Sequence, residues 1–251
     1  MYAEERQRHI LDRARRDGRV DVAGLAAAFD VTYETVRRDL TALERHGVLR
    51  RVHGGAIPVE RLGFEPSLAQ RDTVMTPEKE RIAKAALKEV PAEGAILLDA
   101  GSTTGRLAEQ LPPDLTVVTN SVSIALTLMP RPNTNLMLLG GRLRPRTQAT
   151  VESWALQALE ETYVDVAFMA TNGVSAEHGL TTPDPAEAQV KRAMIRSARR
   201  VVLLADHTKV GNDHFARFST LDEVDCIITD SGLADGLADE LAAFGPRMVV
   251  V

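Results

Sequence analysis

Asp30-Val-Thr-Tyr-Glu-Thr-Val-Arg-Arg-Asp-Leu-Thr-Ala-Leu-Glu-Arg-His46 has the pattern of a helix made to enter a DNA groove. The Thr32 hydroxyl can accept from one of the N–H groups that a helix leaves unpaired in its first turn, so Thr32 is a natural N-cap. Val36, Leu40 and Leu43 fall at i, i+4 and i+7 and give one apolar stripe. Tyr33, Thr35, Arg37 and Arg38 face away from that stripe near the N-terminal end. That end of a helix-turn-helix recognition helix touches base edges. Alone, the pattern also fits an ordinary amphipathic helix with a solvated face. Its flanks decide.

Upstream, residues 4–16 place Ile10, Leu11 and Ala14 on one side and charges on the other, and Gly18 suits the left-handed position that ends such a helix. Asp21 can cap a short second helix carrying Val22, Leu25, Ala26 and Phe29. Downstream, Gly47 stops the third helix. Residues 48–52 alternate like a strand, His53-Gly54-Gly55 supplies a turn, and Ala56-Ile57 begins a return strand. Three helices and a glycine-tipped hairpin make a winged helix over residues 1–57. Arg50, Arg51 and His53 would then lie along the wing beside the phosphates, and Arg37 and Arg38 could fork onto a guanine edge or clamp a phosphate.

Charge agrees with this division. The 251 residues carry a net charge of −5, but residues 1–57 hold eleven Arg, no Lys and nine acidic residues. A slightly basic head on an acidic body fits nucleic-acid contact confined to the head. A single cysteine, Cys226, excludes an intrachain disulfide and a Cys-based zinc site, and the six histidines lack ligand spacing, so no metal or cofactor is expected. Met1-Tyr-Ala-Glu-Glu-Arg6 lacks the apolar core of a signal peptide and no apolar run is long enough to span a bilayer, which points to the cytoplasm.

Thr35-Val-Arg-Arg-Asp-Leu-Thr-Ala-Leu-Glu44 and Gly47-Val-Leu-Arg-Arg-Val-His-Gly-Gly-Ala56 resemble the signature of the DeoR family of bacterial sugar-metabolism repressors. Asp39 follows Arg37-Arg38 as in that family and is expected to orient an arginine or meet an N–H group.

Residues 58–75 mix Pro, Gly, Arg and Glu without a period and read as a linker. Thr76-Pro77 opens a helix with Ile82, Ala83, Ala86, Leu87 and Val90 inward and Lys79, Lys84 and Lys88 in water. From there to 251, apolar runs near 95–99, 115–119, 135–139, 164–170, 200–205, 225–229 and 247–251 alternate with helical patterns near 103–111, 122–128, 151–160, 185–198 and 234–244. Such alternation predicts an α/β domain with a mainly parallel sheet covered on both faces. Ligands of such sheets sit beyond the C-terminal strand ends.

The residues just after these strands suit a polyhydroxylated anion. They include Asp99-Ala-Gly-Ser-Thr-Thr-Gly105 at a helix start, Thr119-Asn120-Ser121, Gly140-Gly-Arg142, Thr171-Asn-Gly173 and Asp206-His-Thr-Lys209. Asp99-Ala-Gly-Ser-Thr-Thr104, Leu139-Gly-Gly-Arg142, Glu187-Ala-Gln-Val-Lys191 and Leu204-Ala-Asp-His-Thr-Lys209 are also similar to the DeoR sensor domain, whose fold is akin to ribose-5-phosphate isomerase. The resemblance implies a phosphorylated sugar as effector and release of operator DNA on binding it; a homo-oligomer, dimer or tetramer, is expected because one winged helix alone gives limited specificity. It also implies pocket residues Asp99, Ser102, Thr103, Thr104, Thr119, Asn120, Gly141, Gly173, Asp206 and Lys209. The family often has Asp-Gly where this chain has Asn172-Gly173. The competing expectation is a sugar-phosphate isomerase with a DNA-binding head, using Asp99, Glu187, Asp206 and Lys209 for proton transfer beside a carbonyl.

Overall fold

The computed structural model describes residues 3–45, 48–52, 54–58 and 65–251. The head is built from α1 (Ala3–Asp17), β1 (Val20–Asp21), α2 (Val22–Phe29), α3 (Tyr33–Arg45), β2 (Leu49–Val52) and β3 (Gly55–Pro58). Its caps follow the local chemistry: the Gly18 N–H donates to Ala14 at φ +84°, and Asp21 accepts from the Gly24 N–H at 2.6 Å. Ile10, Ala14, Leu25, Val36, Leu40, Leu49 and Ala56 close one small core. The two-residue strand β1 was not foreseen. It pairs with β3 so closely that a Cβ on Gly55 would lie 1.9 Å from the Val20 carbonyl oxygen, which is why a glycine stands there. His46, Gly47 and His53 lie outside the described residues.

After Pro58 the next described residue, Glu65, is buried against the body. Ser67 opens α4 (Leu68–Asp72) with a capping box closed by Gln70, and α5 (Thr76–Ala86) follows. We call residues 65–75 the strap. The Leu68 N–H donates to the Arg146 carbonyl at 2.8 Å, and Arg144 meets the Glu65 carboxylate at 3.0 Å, so the strap is fastened to the body.

The body is a seven-stranded parallel sheet. It comprises β4 (Ala95–Leu98), β5 (Thr116–Thr119), β6 (Asn135–Leu138), β9 (Val164–Ala170), β12 (Ala198–Leu204), β14 (Cys226–Thr229) and β15 (Arg247–Val250), in the order β15-β14-β12-β9-β4-β5-β6. Side chains alternate between the faces as pleating requires. Ile96, Leu98, Phe168 and Leu204 pack under α5, α6 (Ser102–Ala108) and α7 (Val122–Leu128). Leu97, Met169 and Leu203 pack on the other face, with α8 (Ser153–Glu160), α9 (Pro185–Arg196) and α10 (Leu237–Ala242). All seven strands coincide with the apolar runs expected from the sequence. Coverage fails at one edge, where β6 leaves Met137 and Leu138 exposed.

Two antiparallel pieces were not expected: the hairpin of β7 (Arg142–Arg144) with β8 (Ala149–Val151), and the sheet of β10 (Gly173–Ser175), β11 (Gly179–Thr182) and β13 (Ala216–Ser219). Among the described residues no helix is long and apolar enough to cross a membrane.

Candidate functional site

Strand order reverses between β4 and β9, and the crevice outside the C-terminal ends of such a pair is where parallel sheets take ligands. A cavity of about 410 Å³ lies there, within the usual size for a small-molecule site. Gly101, Ser102 and Thr103 enter it after β4, Ala170 and Thr171 after β9, and Asp206 and Lys209 after β12. Gly101 is fixed by packing: a Cβ there would fall 2.7 Å from the Ala170 Cβ. No side chain caps the start of α6.

The opposite wall is the strap and the start of α5, with Gln70, Arg71, Val74 and Lys79. Lys79 is buried, not wet as the sequence suggested. Its ammonium donates to the carbonyls of Arg71 and Val74 and so holds the strap's last turn. Burial pushes its pKa down to about 8; Asp206 opposes that shift and Lys209 adds to it. Arg71, Lys79 and Lys209 thus surround one cavity, and among the described residues no carboxylate lies within ion-pair distance of them. With Asp17 and Asp206 also on the lining, the cavity keeps one positive charge in excess, three cations against two carboxylates.

The loop after β12 is braced from below. His207 donates its N–H to Asp230 at 2.8 Å and its ring Nδ1 lies 2.7 Å from the same carboxylate. Burial raises the Asp230 pKa, but donors from His207 and Gly232 hold it below the usual carboxylate range. Asp206 accepts from the Thr208 N–H at 3.1 Å, which turns Lys209 toward the cavity.

Of the ten sequence-predicted pocket residues, Ser102, Thr103, Asp206 and Lys209 line this cavity. The other six serve as framework. The Thr104 hydroxyl donates to the Asp99 carbonyl at 2.7 Å and the Thr119 hydroxyl to Leu98 at 2.7 Å. Asn120 accepts from the Ala100 N–H at 3.0 Å. Gly141, at φ +140°, lets the β7–β8 hairpin pass Val151, and Gly173 does the same against the Asn212 carbonyl. Asp99 is fully buried and ion-paired with Lys191, whose Nζ also donates to the Ala170 carbonyl at 3.0 Å. Burial pushes the Asp99 carboxyl up, while Lys191 and the Ala170 N–H hold it back. Glu187 is bound to Arg144 and Thr147. The four groups an isomerase would need are therefore split, two in the cavity and two locked in buried ion pairs.

In the head, Thr32 accepts from the Thr35 N–H at 3.2 Å and its hydroxyl lies 2.9 Å from that of Thr35. Tyr33, Arg37 and Arg38 are exposed, with Arg38 3.6 Å from Glu34. Asp39 is buried and accepts from Arg6 Nε at 2.5 Å and Gln7 Nε2 at 3.0 Å. It ties α3 to α1. On the wing, Arg51 donates to the Thr41 hydroxyl at 2.9 Å and its N–H to Glu44 at 2.8 Å. Arg50 turns toward the body and meets Asp213 at 3.3 Å, and Arg19 donates to the Thr208 carbonyl at 3.2 Å.

Two family models match in the order the geometry requires: the DeoR-like helix-turn-helix domain over residues 6–61 and the DeoR C-terminal sensor domain over 75–231. The chain belongs to the DeoR family. It is a DNA-binding transcriptional regulator with an N-terminal winged helix and an α/β sensor domain. Among DeoR-family relatives, it is 38% identical to the HTH-type transcriptional regulator GlpR of Haloferax volcanii, over 99% of this chain and 98% of that one. It is 33% identical to the HTH-type transcriptional repressor GlcR of Bacillus subtilis, over 100% and 97%. A solved ribose 5-phosphate isomerase A from Methanocaldococcus jannaschii aligns at 20% identity, covering 54% of this chain and 55% of that one, with a TM-score of 0.39.

The strap residues of this DeoR-family chain escaped sequence reasoning, although Lys79 carried a signal. It stands at i relative to Ile82, Ala83 and Ala86, so it belongs to the buried stripe of α5. Arg71 carried none.

Proposed function

We propose that this regulator represses genes of sugar metabolism and leaves its operator when a phosphorylated sugar or sugar-derived intermediate fills the cavity between the strand ends and the strap. The observation that carries this is the trio of cations around a cavity lined by hydroxyls. Arg71, Lys79 and Lys209 answer a phosphate, while Ser102, Thr103 and Asp206 can bond sugar hydroxyls. Asp206 supplies an acceptor, which a polyol needs and a bare inorganic anion does not. A regulator of this kind meets the chromosome in the cytoplasm. Two or more copies are needed to read a two-fold operator, since a single winged helix makes few base contacts.

Ligand binding shifts DNA occupancy only through different affinities for the DNA-bound and released arrangements. The test is titration of operator binding, on the DNA upstream of the protein's own gene, with a panel of sugar phosphates and their unphosphorylated parents. One phosphorylated sugar is expected to weaken DNA binding, its parent sugar to do nothing, and Lys209→Ala to need roughly tenfold more ligand. A response carried equally by the unphosphorylated sugar would overturn the phosphate assignment.

A further inference from the structure

The guanidinium of Arg71 has its Nε and Nη2 atoms buried, and among the described residues neither has a hydrogen-bond partner. These two nitrogens share one edge of the planar group, the edge whose parallel N–H bonds fit two oxygens of a phosphate or carboxylate at once. Burying donors without partners costs stability, so such an edge at a cavity wall points to an occupant. Arg71 lines the main cavity and also a second one of about 330 Å³, which opens under the head between Asp17, Arg19, Ile57 and Asn212. Lys209 borders both cavities as well.

We propose that Arg71 is the anion-reading residue of the sensor: a phosphate-type group seats on its Nε/Nη2 edge, opposite Lys209, and by doing so moves the strap that leads to the DNA-binding head. This deepens the function proposed above and rests on it for the sugar, though not for the anion. The edge lies below the cavity surface, so two oxygens reach it only if the strap shifts. The strap comes after the wing in the chain, beyond residues 59–64, and its far end is tethered through Lys79 to the carbonyls of Arg71 and Val74. A displacement of Arg71 therefore pulls on the backbone that Lys79 holds. Binding and signalling reside in one side chain.

The experiment uses the full-length protein. Thermal unfolding is followed against inorganic phosphate and the sugar-phosphate panel for wild type, Arg71→Ala, Arg71→Lys and the surface control Lys88→Ala. Operator binding is measured on the same samples by fluorescence anisotropy. Wild type and Lys88→Ala are expected to be stabilised by the anion, with half-saturation roughly tenfold or more higher in Arg71→Ala. Arg71→Lys, which keeps the charge without the fork, should fall between them and lose more of the DNA response than of the binding. Operator affinity without ligand should match wild type in Lys88→Ala, and the thermal transitions without ligand certify that all four proteins fold.

Wild-type half-saturation in Arg71→Ala overturns the assignment. So does a wild type that answers neither inorganic phosphate nor any sugar phosphate, and that outcome takes the phosphorylated effector with it. A wild type that answers inorganic phosphate but no sugar phosphate, with the response lost in Arg71→Ala, removes only the sugar and leaves Arg71 in its role.

Discussion

Lys79 sits on the apolar stripe of α5, yet its ammonium is the clasp that holds the strap. Its pKa of about 8 lies below the unfolded value of 10.5. Folding therefore disfavours its proton, and the stability of the empty protein should rise as pH climbs from about 8 toward the unfolded value. Anion binding runs the other way. A bound phosphate favours the protonated lysine, so between pH 7 and 8, above the phosphate's own titration at about 6, affinity should change little, and above pH 8 it should fall by no more than about tenfold per pH unit. Isothermal titration of the effector between pH 7 and 9.5 checks this. Lys79→Met should bind weakly at pH 7 and show no such fall, and a fall that persists in Lys79→Met would assign the titration elsewhere. The same scale shows why the site was only half legible. Thr104, Thr119 and Asn120 have the chemistry of ligands, but each spends its polar group on a neighbouring backbone. A sequence records which groups can donate, not which have already been engaged. Asp39 was expected to orient an arginine or meet an N–H group, and its partners are Arg6 and Gln7 on α1, which the sequence did not name.

At the scale of elements, the long apolar strands announced themselves because burial on both faces demands unbroken runs such as Val164–Ala170. The short strands did not. β7, with Arg-Leu-Arg, and β11, with Gly-Leu-Thr-Thr, are held by cross-strand bonds and tertiary contacts rather than by any local period. The wing was legible as a hairpin, but its docking was not. Arg50 reaches Asp213, which also accepts from the Ser175 hydroxyl at 2.6 Å and lies 3.2 Å from His178 Nδ1. A wing arginine held by a carboxylate is withheld from phosphate. Asp213→Asn keeps the shape and the Ser175 bond but removes the charge. Operator affinity of the ligand-free protein should then rise by about fivefold or less, since a partly exposed pair is worth roughly 0.2–1 kcal/mol. An anisotropy titration at two salt concentrations measures it, and unchanged affinity would show that this contact does not restrain the wing.

For the whole molecule, the sheet order was beyond the sequence, because pairing of distant strands leaves no local mark. It is that order which sets β4 beside β9 and so opens the cavity where it does. It also leaves β6 at the rim with Met137 and Leu138 bare. A flat apolar edge of this kind is one that proteins usually cover or blunt.

The loop from Asp206 to Asp213 touches the cavity with Asp206 and Lys209 and the head through the Thr208 carbonyl and Asp213. One eight-residue loop therefore carries contacts to both, and thermodynamics makes the traffic between the two binding events two-way. Whatever factor the proposed effector takes from operator affinity, the operator must take from effector affinity. DNA becomes an antagonist of the metabolite. Measured by calorimetry with and without saturating operator, the two factors should agree. A promoter that holds the protein tightly would then need more metabolite to be cleared than a promoter that holds it loosely, so one sensor would switch its targets on in sequence as the sugar accumulates.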